Sequence, residues 1–143
     1  LDQEDITKFK DRMFSVGAIA VRGQLQHFEV DSCTFSELMG GAAAAIYLDI
    51  SEMDGVSASR TFTIRDSHFI NNLSVKSILF ITTTDPNIKV EISDTTLIQN
   101  VISANIKIPN EPTSSSVYQS APVIVTLPSK GSGSLLISSC IFD

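Results

Sequence analysis

The sequence has few cysteines, few basic residues and no tryptophan. Two cysteines in 143 residues are too few for a disulfide-held scaffold, and no His/Cys group has zinc-ligand spacing, so we expect no metal or other cofactor. Ten Lys and Arg face 16 Asp and Glu without forming a basic cluster, which argues against a nucleic-acid partner. The longest apolar run, residues 42–48, is too short to span a bilayer, so we expect no membrane insertion.

The hydrophobic content of 43% is high enough for a folded core. The chain begins with Leu1 rather than Met, and we expect it to be a mature form, a fragment or one unit of a longer protein.

The main positive feature is an internal repeat. Four six-residue segments align without gaps, at 30–35, 64–69, 92–97 and 137–142, in steps of 34, 28 and 45 residues. In every copy the first residue is β-branched, the third is Asp or Ser, the fourth is small and the sixth is large and apolar. A repeat of this length with unequal steps is typical of a solenoid whose loops vary in length.

Short strands flank the repeated segments. We predict strands before the copies at 27–30, 61–64, 89–92 and 134–137, and a second set at 17–21, 44–48, 77–80 and 104–108. In-register stacking of such units would bury Ile against Ile and Phe against Phe, with neighbouring strands about 4.8 Å apart. The sequence therefore predicts an all-β parallel β-helix of about four coils over residues 16–143. The alternative is an antiparallel β-sandwich, which also has many short strands.

Three segments differ from the regular coil. Residues 109–122 form a Pro/Ser-rich loop excursion, and the strand predicted at 123–127 could add an extra hairpin to that coil. In residues 1–15, Ile6, Phe9 and Met13 fall on one helical face, so we predict a short helix that caps the open first coil.

Several short motifs resemble those of a known family. Phe69-Ile70-Asn71-Asn72 is an F-x-x-N motif, 97–100 repeats it with Leu for Phe, and Gly40-Gly41-Ala42 resembles a GGA motif. The chain thereby resembles the right-handed, pectin-lyase-like β-helices, and in particular polymorphic outer-membrane protein repeats. The resemblance implies a right-handed single-stranded helix displayed outside the cell or on its surface, adhesive or structural and without catalysis.

The same motifs have physical uses of their own. Asn72 and Asn100, at the same corner of adjacent coils, can hydrogen-bond in a buried ladder. Gly40-Gly41 would permit a positive φ at a sharp corner. Asn72-Leu73-Ser74 is also an N-glycosylation sequon, although a buried Asn72 could not carry a glycan, and Asn71 could point inward instead.

One set of residues would suit an enzyme. Asp66 and Asp94 share a column, so their carboxyl groups could lie roughly 5–6 Å apart and act as acid and nucleophile on a polysaccharide, with His68 as a base. The competing interpretation is that Asp and Ser at this position only shape the turn. We favour the turn interpretation and predict no enzymatic activity.

The two cysteines occupy one column. Cys33 and Cys140 lie three coils apart, roughly 14 Å, which is too far for an intrachain disulfide. We favour the interpretation that both are small, buried core residues; the alternative, where units stack end to end, is an interchain contact between them. Overall we predict a non-enzymatic extracellular structural module that self-associates end to end. The alternatives are an adhesin that binds glycans or a receptor through loops 51–59 and 109–122, and a fragment of a polysaccharide-degrading enzyme.

Overall fold

The structure, a computed structural model, describes residues 16–55, 58–102 and 120–143. These residues form strands, turns and bends and contain no helix. In chain order the strands are β1 (Ile19–Gly23), β2 (Phe28–Asp31), β3 (Thr34–Ser36), β4 (Met39–Gly40), β5 (Ile46–Ile50), β6 (Arg60–Arg65), β7 (His68–Ile70), β8 (Leu73–Ser74), β9 (Leu79–Thr83), β10 (Ile88–Ser93), β11 (Thr96–Ile98), β12 (Val101–Ile102), β13 (Val123–Thr126), β14 (Ser134–Ser138) and β15 (Ile141–Phe142).

The strands form four parallel sheets that the chain visits in a fixed order. Sheet 1 is β1-β5-β9-β13, sheet 2 is β2-β6-β10-β14, sheet 3 is β3-β7-β11-β15 and sheet 4 is β4-β8-β12. Each pass through the sheets adds one layer, so β1–β4 form layer 1, β5–β8 layer 2, β9–β12 layer 3 and β13–β15 layer 4. This arrangement is consistent with a solenoid and confirms the parallel stacking; the antiparallel sandwich is wrong.

The predicted columns lie in register. In sheet 2, Val30 pairs with Ile64, Ile64 with Ile92, and Ile92 with Ile137. In sheet 3 the corresponding column is Phe35, Phe69, Leu97 and Phe142. Because alternate residues of a strand face opposite sides, this register places both columns on the buried side of their sheets.

These columns form the core. Ile64, Ile92 and Phe69 are fully buried, and the rings of Phe35 and Phe69 stack at 4.8 Å between centroids with an interplanar angle of 2°. Stacked identical side chains bury a continuous apolar surface that no single layer could bury alone.

Left-handed backbone at residues other than glycine recurs at one corner in all four layers and at a second corner in layers 1 to 3. The first corner is Ser32, Asp66, Asp94 and Ser139, with φ of 48° to 56°, and the second is Glu37, Asn71 and Gln99, with φ of 54° to 57°. Asp and Asn tolerate this conformation better than most residues, which explains the Asp or Ser found at the third position of the repeat.

Gly40 and Gly41 do not have the positive φ that the sequence suggested. Gly40 is needed for a different reason, since a Cβ atom there would lie 1.9 Å from the carbonyl oxygen of Ala43. The absence of a side chain, rather than a left-handed φ, therefore fits glycine to this position.

The structure corrects some of the other predictions, and the rest concern residues outside the described ranges. The strand at 123–126 is not part of an extra hairpin; it pairs parallel with β9 and continues sheet 1. The strands of sheets 3 and 4, two or three residues long, were not predicted. The predicted cap at 1–15, the strand at 104–108 and residues 109–119 of the predicted loop lie outside the described residues.

Candidate interaction surface

One end of the stack leaves apolar side chains exposed. In layer 4, Leu135, Ile137 and Phe142 occupy core columns but are 43%, 41% and 48% exposed. Their partners in layer 3 are buried, with Ile92 at 0% and Leu97 at 2%. The exposed residues have core chemistry and core register, so this face is suited to contact with a further layer.

The backbone of layer 4 is open in the same direction. Strands β13, β14 and β15 each pair with layer 3, and no other described strand pairs with their outer edges. Unpaired strand edges present N–H and C=O groups that another strand can use. The surface therefore combines apolar side chains with a template for strand pairing.

Layer 1 forms the opposite end of the described stack. Its core-column residues Phe28 and Phe35 are half-buried, Val30 is 5% exposed and Cys33 is exposed. Strands β1 to β4 likewise pair with layer 2 alone among the described strands. Both ends thus present parallel strand edges carrying residues of the same columns.

The predicted asparagine ladder is present and buried. The Asn72 side chain is inside the fold, and its amide Nδ2 donates to Asn100 Oδ1 and to the Phe35 carbonyl, both at 3.0 Å. Asn72 Oδ1 accepts a hydrogen bond from the Leu38 N–H at 3.0 Å. Asn71 instead takes the left-handed corner and is exposed. Because both polar atoms of Asn72 are engaged inside, its amide is not available for a glycan in the folded chain.

The residues considered for catalysis lie on the outer surface. Asp66 and Asp94 occupy the same corner of layers 2 and 3, and the Asp66 N–H donates to the Ser93 carbonyl at 3.2 Å. Both carboxylates are exposed. Exposed His68 has its Nδ1 2.6 Å from the hydroxyl of Thr96, the residue that replaces it in layer 3. The left-handed φ of 48° that Asp66 and Asp94 share agrees with the turn interpretation of this position.

The cysteines lie at the two ends of the stack. Both are free thiols, with Cys33 exposed in layer 1 and Cys140 half-buried in layer 4. The intermediate positions of the same column are Ser67 and Thr95, which are fully buried. The column position therefore faces the core, but the prediction that both cysteines are buried is wrong, because Cys33 and Cys140 lie in the first and last described layers.

The sequence interpretation missed a buried ion pair. Arg60, the first residue of β6, contacts the carboxylate of Asp85 through its guanidinium, and the two side chains are 5% and 1% exposed. The guanidinium also donates to the Leu25 carbonyl at 2.7 Å, and Asp85 accepts from the Asn87 N–H at 2.9 Å. Leu25, Arg60 and Asp85 belong to layers 1, 2 and 3, so the pair ties three layers together. No sequence signal links them, because they lie outside the repeated columns.

An aromatic row lies on the outer face of sheet 1. The rings of Tyr47 and Phe80 stack at 5.0 Å with an interplanar angle of 9°. The Arg22 guanidinium lies 5.3 Å from the Tyr47 ring centroid, and the Lys76 ammonium 4.4 Å from that of Phe80. Cation–π contacts of this kind stabilise the stack. The ring faces are occupied by one another and by the cations.

A charged cluster lies on the outer face of sheet 2. Arg65 donates to Asp31 from Nε at 3.0 Å and from Nη2 at 2.8 Å, and Nη2 lies 3.1 Å from a Glu29 oxygen. The hydrogen bond from the Ser32 hydroxyl and those from Arg65 lower the pKa of the Asp31 carboxyl below its ordinary value. The hydrogen bonds from Arg65 to Asp31, together with the negative charges of Asp31 and Glu29, raise the pKa of Arg65. These groups are solvent-exposed, so water screens their attraction.

The described ranges contain no cluster of three or more His, Cys, Asp or Glu side chains that could hold a metal ion. Within those ranges, no helix meets the length and hydropathy needed to cross a membrane. Comparison of the chain with protein-family models, with curated proteins and with solved structures gave no match in any of the three.

Proposed function

We propose that this chain is a right-handed parallel β-helix that serves as a non-enzymatic structural module, stacking end to end in an extracellular or surface fibre. The observation that carries the proposal is the end formed by layer 4, where core-column side chains are exposed and the outer strand edges pair with no strand of the described residues. Large exposed apolar residues grouped on one face are typical of an interaction surface.

The partner that fits this surface is layer 1 of a second copy. Parallel in-register stacking would place Leu135 over Phe28, Ile137 over Val30 and Phe142 over Phe35 of the neighbouring copy. Within the chain, residues of the same columns pair in the same way: Phe28 with Phe62, Val30 with Ile64 and Phe35 with Phe69. Layer 4 of one copy on layer 1 of the next is a head-to-tail contact that does not close on itself, so it leads to a filament.

Other features support a structural role more than a binding role. The outer aromatic row offers ring edges rather than open ring faces, so it lacks the platform on which a sugar would stack. Residues 51–55 and 58–59 of the first loop considered for adhesion are described, and they form turns and irregular chain without a cluster of aromatic side chains. The adhesin and enzyme alternatives have no comparable observation in their favour.

The test compares two substitutions on one strand. Ile137 faces the core column, whereas Leu136 pairs with Glu91 on the outer side of sheet 2 and is 54% exposed. Ile137→Asp would place a charge against Val30 of the neighbour, and Leu136→Asp would place it in solvent. We expect sedimentation velocity and electron microscopy to show concentration-dependent filaments for the wild type and Leu136→Asp, and monomers for Ile137→Asp.

Circular dichroism would establish that both variants keep the β-fold. A wild-type chain that stays monomeric at the highest soluble concentration would refute end-to-end stacking, as would equal loss of association in both variants.

If residues 1–15 cap layer 1, as the sequence predicts, they compete with the neighbouring copy for that edge. A chain lacking residues 1–15 should then form filaments at a lower concentration.

A further inference from the structure

We propose that the joint between stacked copies carries a redox lock, in which Cys140 of one copy forms a disulfide with Cys33 of the next. This inference rests on the proposed end-to-end stacking. It specifies which residues of two neighbouring copies lie opposite one another and how redox conditions would regulate the contact. It arises from the column that the two cysteines share with two hydroxyl residues, Ser67 and Thr95.

All four members of this column hold their side chains in one orientation. The Ser67 hydroxyl donates to the Arg65 carbonyl at 2.7 Å, and the Thr95 hydroxyl to the Ser93 carbonyl at 2.8 Å. The thiols make the equivalent contact with the carbonyl two residues earlier, Cys33 with Asp31 and Cys140 with Ser138, both at 3.2 Å. The thiols at the two ends are therefore presented in the same way relative to their own layers.

One register aligns the thiols and the apolar columns together. An offset of 107 residues (140 − 33) separates Cys140 from Cys33, and the same offset separates Leu135 from Phe28, Ile137 from Val30 and Phe142 from Phe35. Stacking that pairs the apolar residues therefore also pairs the cysteines. Because the segments match residue for residue, no shift or gap is needed in sheets 2 and 3.

The distances suit a bond between copies and exclude one within the chain. Neighbouring strands lie about 4.8 Å apart, and a disulfide requires Cα atoms about 4.4–6.8 Å apart. Within one chain the cysteines are separated by three such steps. At the joint they would occupy adjacent steps, and each thiol would rotate from its backbone carbonyl toward the other sulfur.

The bond forms by thiol–disulfide exchange with a small-molecule disulfide such as oxidised glutathione. The thiolate of one cysteine attacks that disulfide and displaces one thiolate, and the second cysteine then attacks the mixed disulfide and displaces the other. The two protein thiols lose two protons and two electrons, and the small disulfide is reduced to two thiols. Oxidising surroundings would thus make the stack covalent, and a reductant would return it to a non-covalent one.

The experiment uses single cysteine variants of the full chain. Cys33→Ser and Cys140→Ser should leave the fold intact, because serine and threonine already occupy this column in layers 2 and 3. Each protein is incubated with oxidised and reduced glutathione at a concentration where sedimentation shows association. The products are resolved on a non-reducing denaturing gel, and linked peptides are identified by mass spectrometry.

We expect the wild type to give a ladder of dimers, trimers and longer species that collapses to monomer on reduction. Each variant alone should stay monomeric on the gel. A mixture of the two should give dimers and no longer species, each joining Cys140 of the Cys33→Ser chain to Cys33 of the Cys140→Ser chain. The double variant should still associate in sedimentation.

The outcomes separate the two proposals. Association without any Cys33–Cys140 link under oxidation would overturn the redox lock and leave the stacking intact. Dimers of the Cys33→Ser chain joined through Cys140 alone would overturn the register, since they require two layer 4 surfaces to meet. Absence of association at every concentration would refute the stacking itself.

Discussion

The buried pair of Arg60 and Asp85 allows a quantitative test of how the layers are held together. Both side chains are almost fully buried, and their contacts reach the Leu25 carbonyl in layer 1 and the Met53 and Asn87 N–H groups in layers 2 and 3. Asp85→Asn keeps the shape of the side chain but leaves the guanidinium charge uncompensated. Removing one partner of a buried pair typically destabilises a protein by about 3–5 kcal/mol.

For a chain of this size we therefore expect Asp85→Asn to lower the melting temperature by about 10–15 °C. Arg60→Met should also destabilise the fold, because it leaves the Asp85 carboxylate buried with backbone N–H donors alone. The double variant removes both charges, while the amide oxygen introduced by Asp85→Asn can still accept from the Asn87 N–H. Its loss of stability should be smaller than the sum of the two single losses by about 2 kcal/mol or more.

Urea unfolding followed by circular dichroism at pH 7 measures all four free energies of unfolding. Asp31→Asn is the matched control, because it breaks an Arg–Asp pair of similar chemistry on the exposed face of sheet 2. Exposed pairs contribute little, so the control should unfold close to the wild type. Additive effects of Arg60→Met and Asp85→Asn, within about 0.5 kcal/mol, would show that the two side chains do not interact and would refute the reasoning.

Two further predictions concern the asparagine ladder and pH. Asn72→Ala removes the acceptor of the Leu38 N–H and the donor to the Phe35 carbonyl, so urea unfolding should show a loss of about 2–4 kcal/mol. The neighbouring Asn71→Gly, at an exposed left-handed corner, should change stability by less than about 0.5 kcal/mol, and equal losses would contradict the ladder. Because the pKa of Asp31 is lowered in the folded chain, its contribution is complete above about pH 4 and is lost as pH falls through the folded-state pKa. The small difference in urea midpoint between wild type and Asp31→Asn should therefore decrease as the pH falls below about 4, and a difference that grows with acidification would contradict this assignment.

The sequence by itself determined which residues lie next to one another along the stack. Side chains of a strand alternate between two faces, so a repeated segment has one register that keeps every apolar position on the buried side. For this reason the spacing of Val30, Ile64, Ile92 and Ile137 was sufficient to predict parallel pairing, and the structure confirms each pair. The F-x-x-N motif predicted the Asn72–Asn100 hydrogen bond in the same way.

Only the tertiary structure decided the features that do not repeat. Arg60 and Asp85 are 25 residues apart, and their contact depends on how loops of unequal length fold over one corner. The strands of sheets 3 and 4 are too short to show a periodic pattern, and the left-handed φ of Asp66 or Asn71 follows from closing the layer at that corner. The exposure of Ile137, in a column whose other members are buried, is likewise a property of its place at the end of the stack. A sequence repeat determines which residues of neighbouring layers pair, because similar side chains recur at the same positions. Contacts between loops and the exposure of the end layers depend instead on the whole path of the chain.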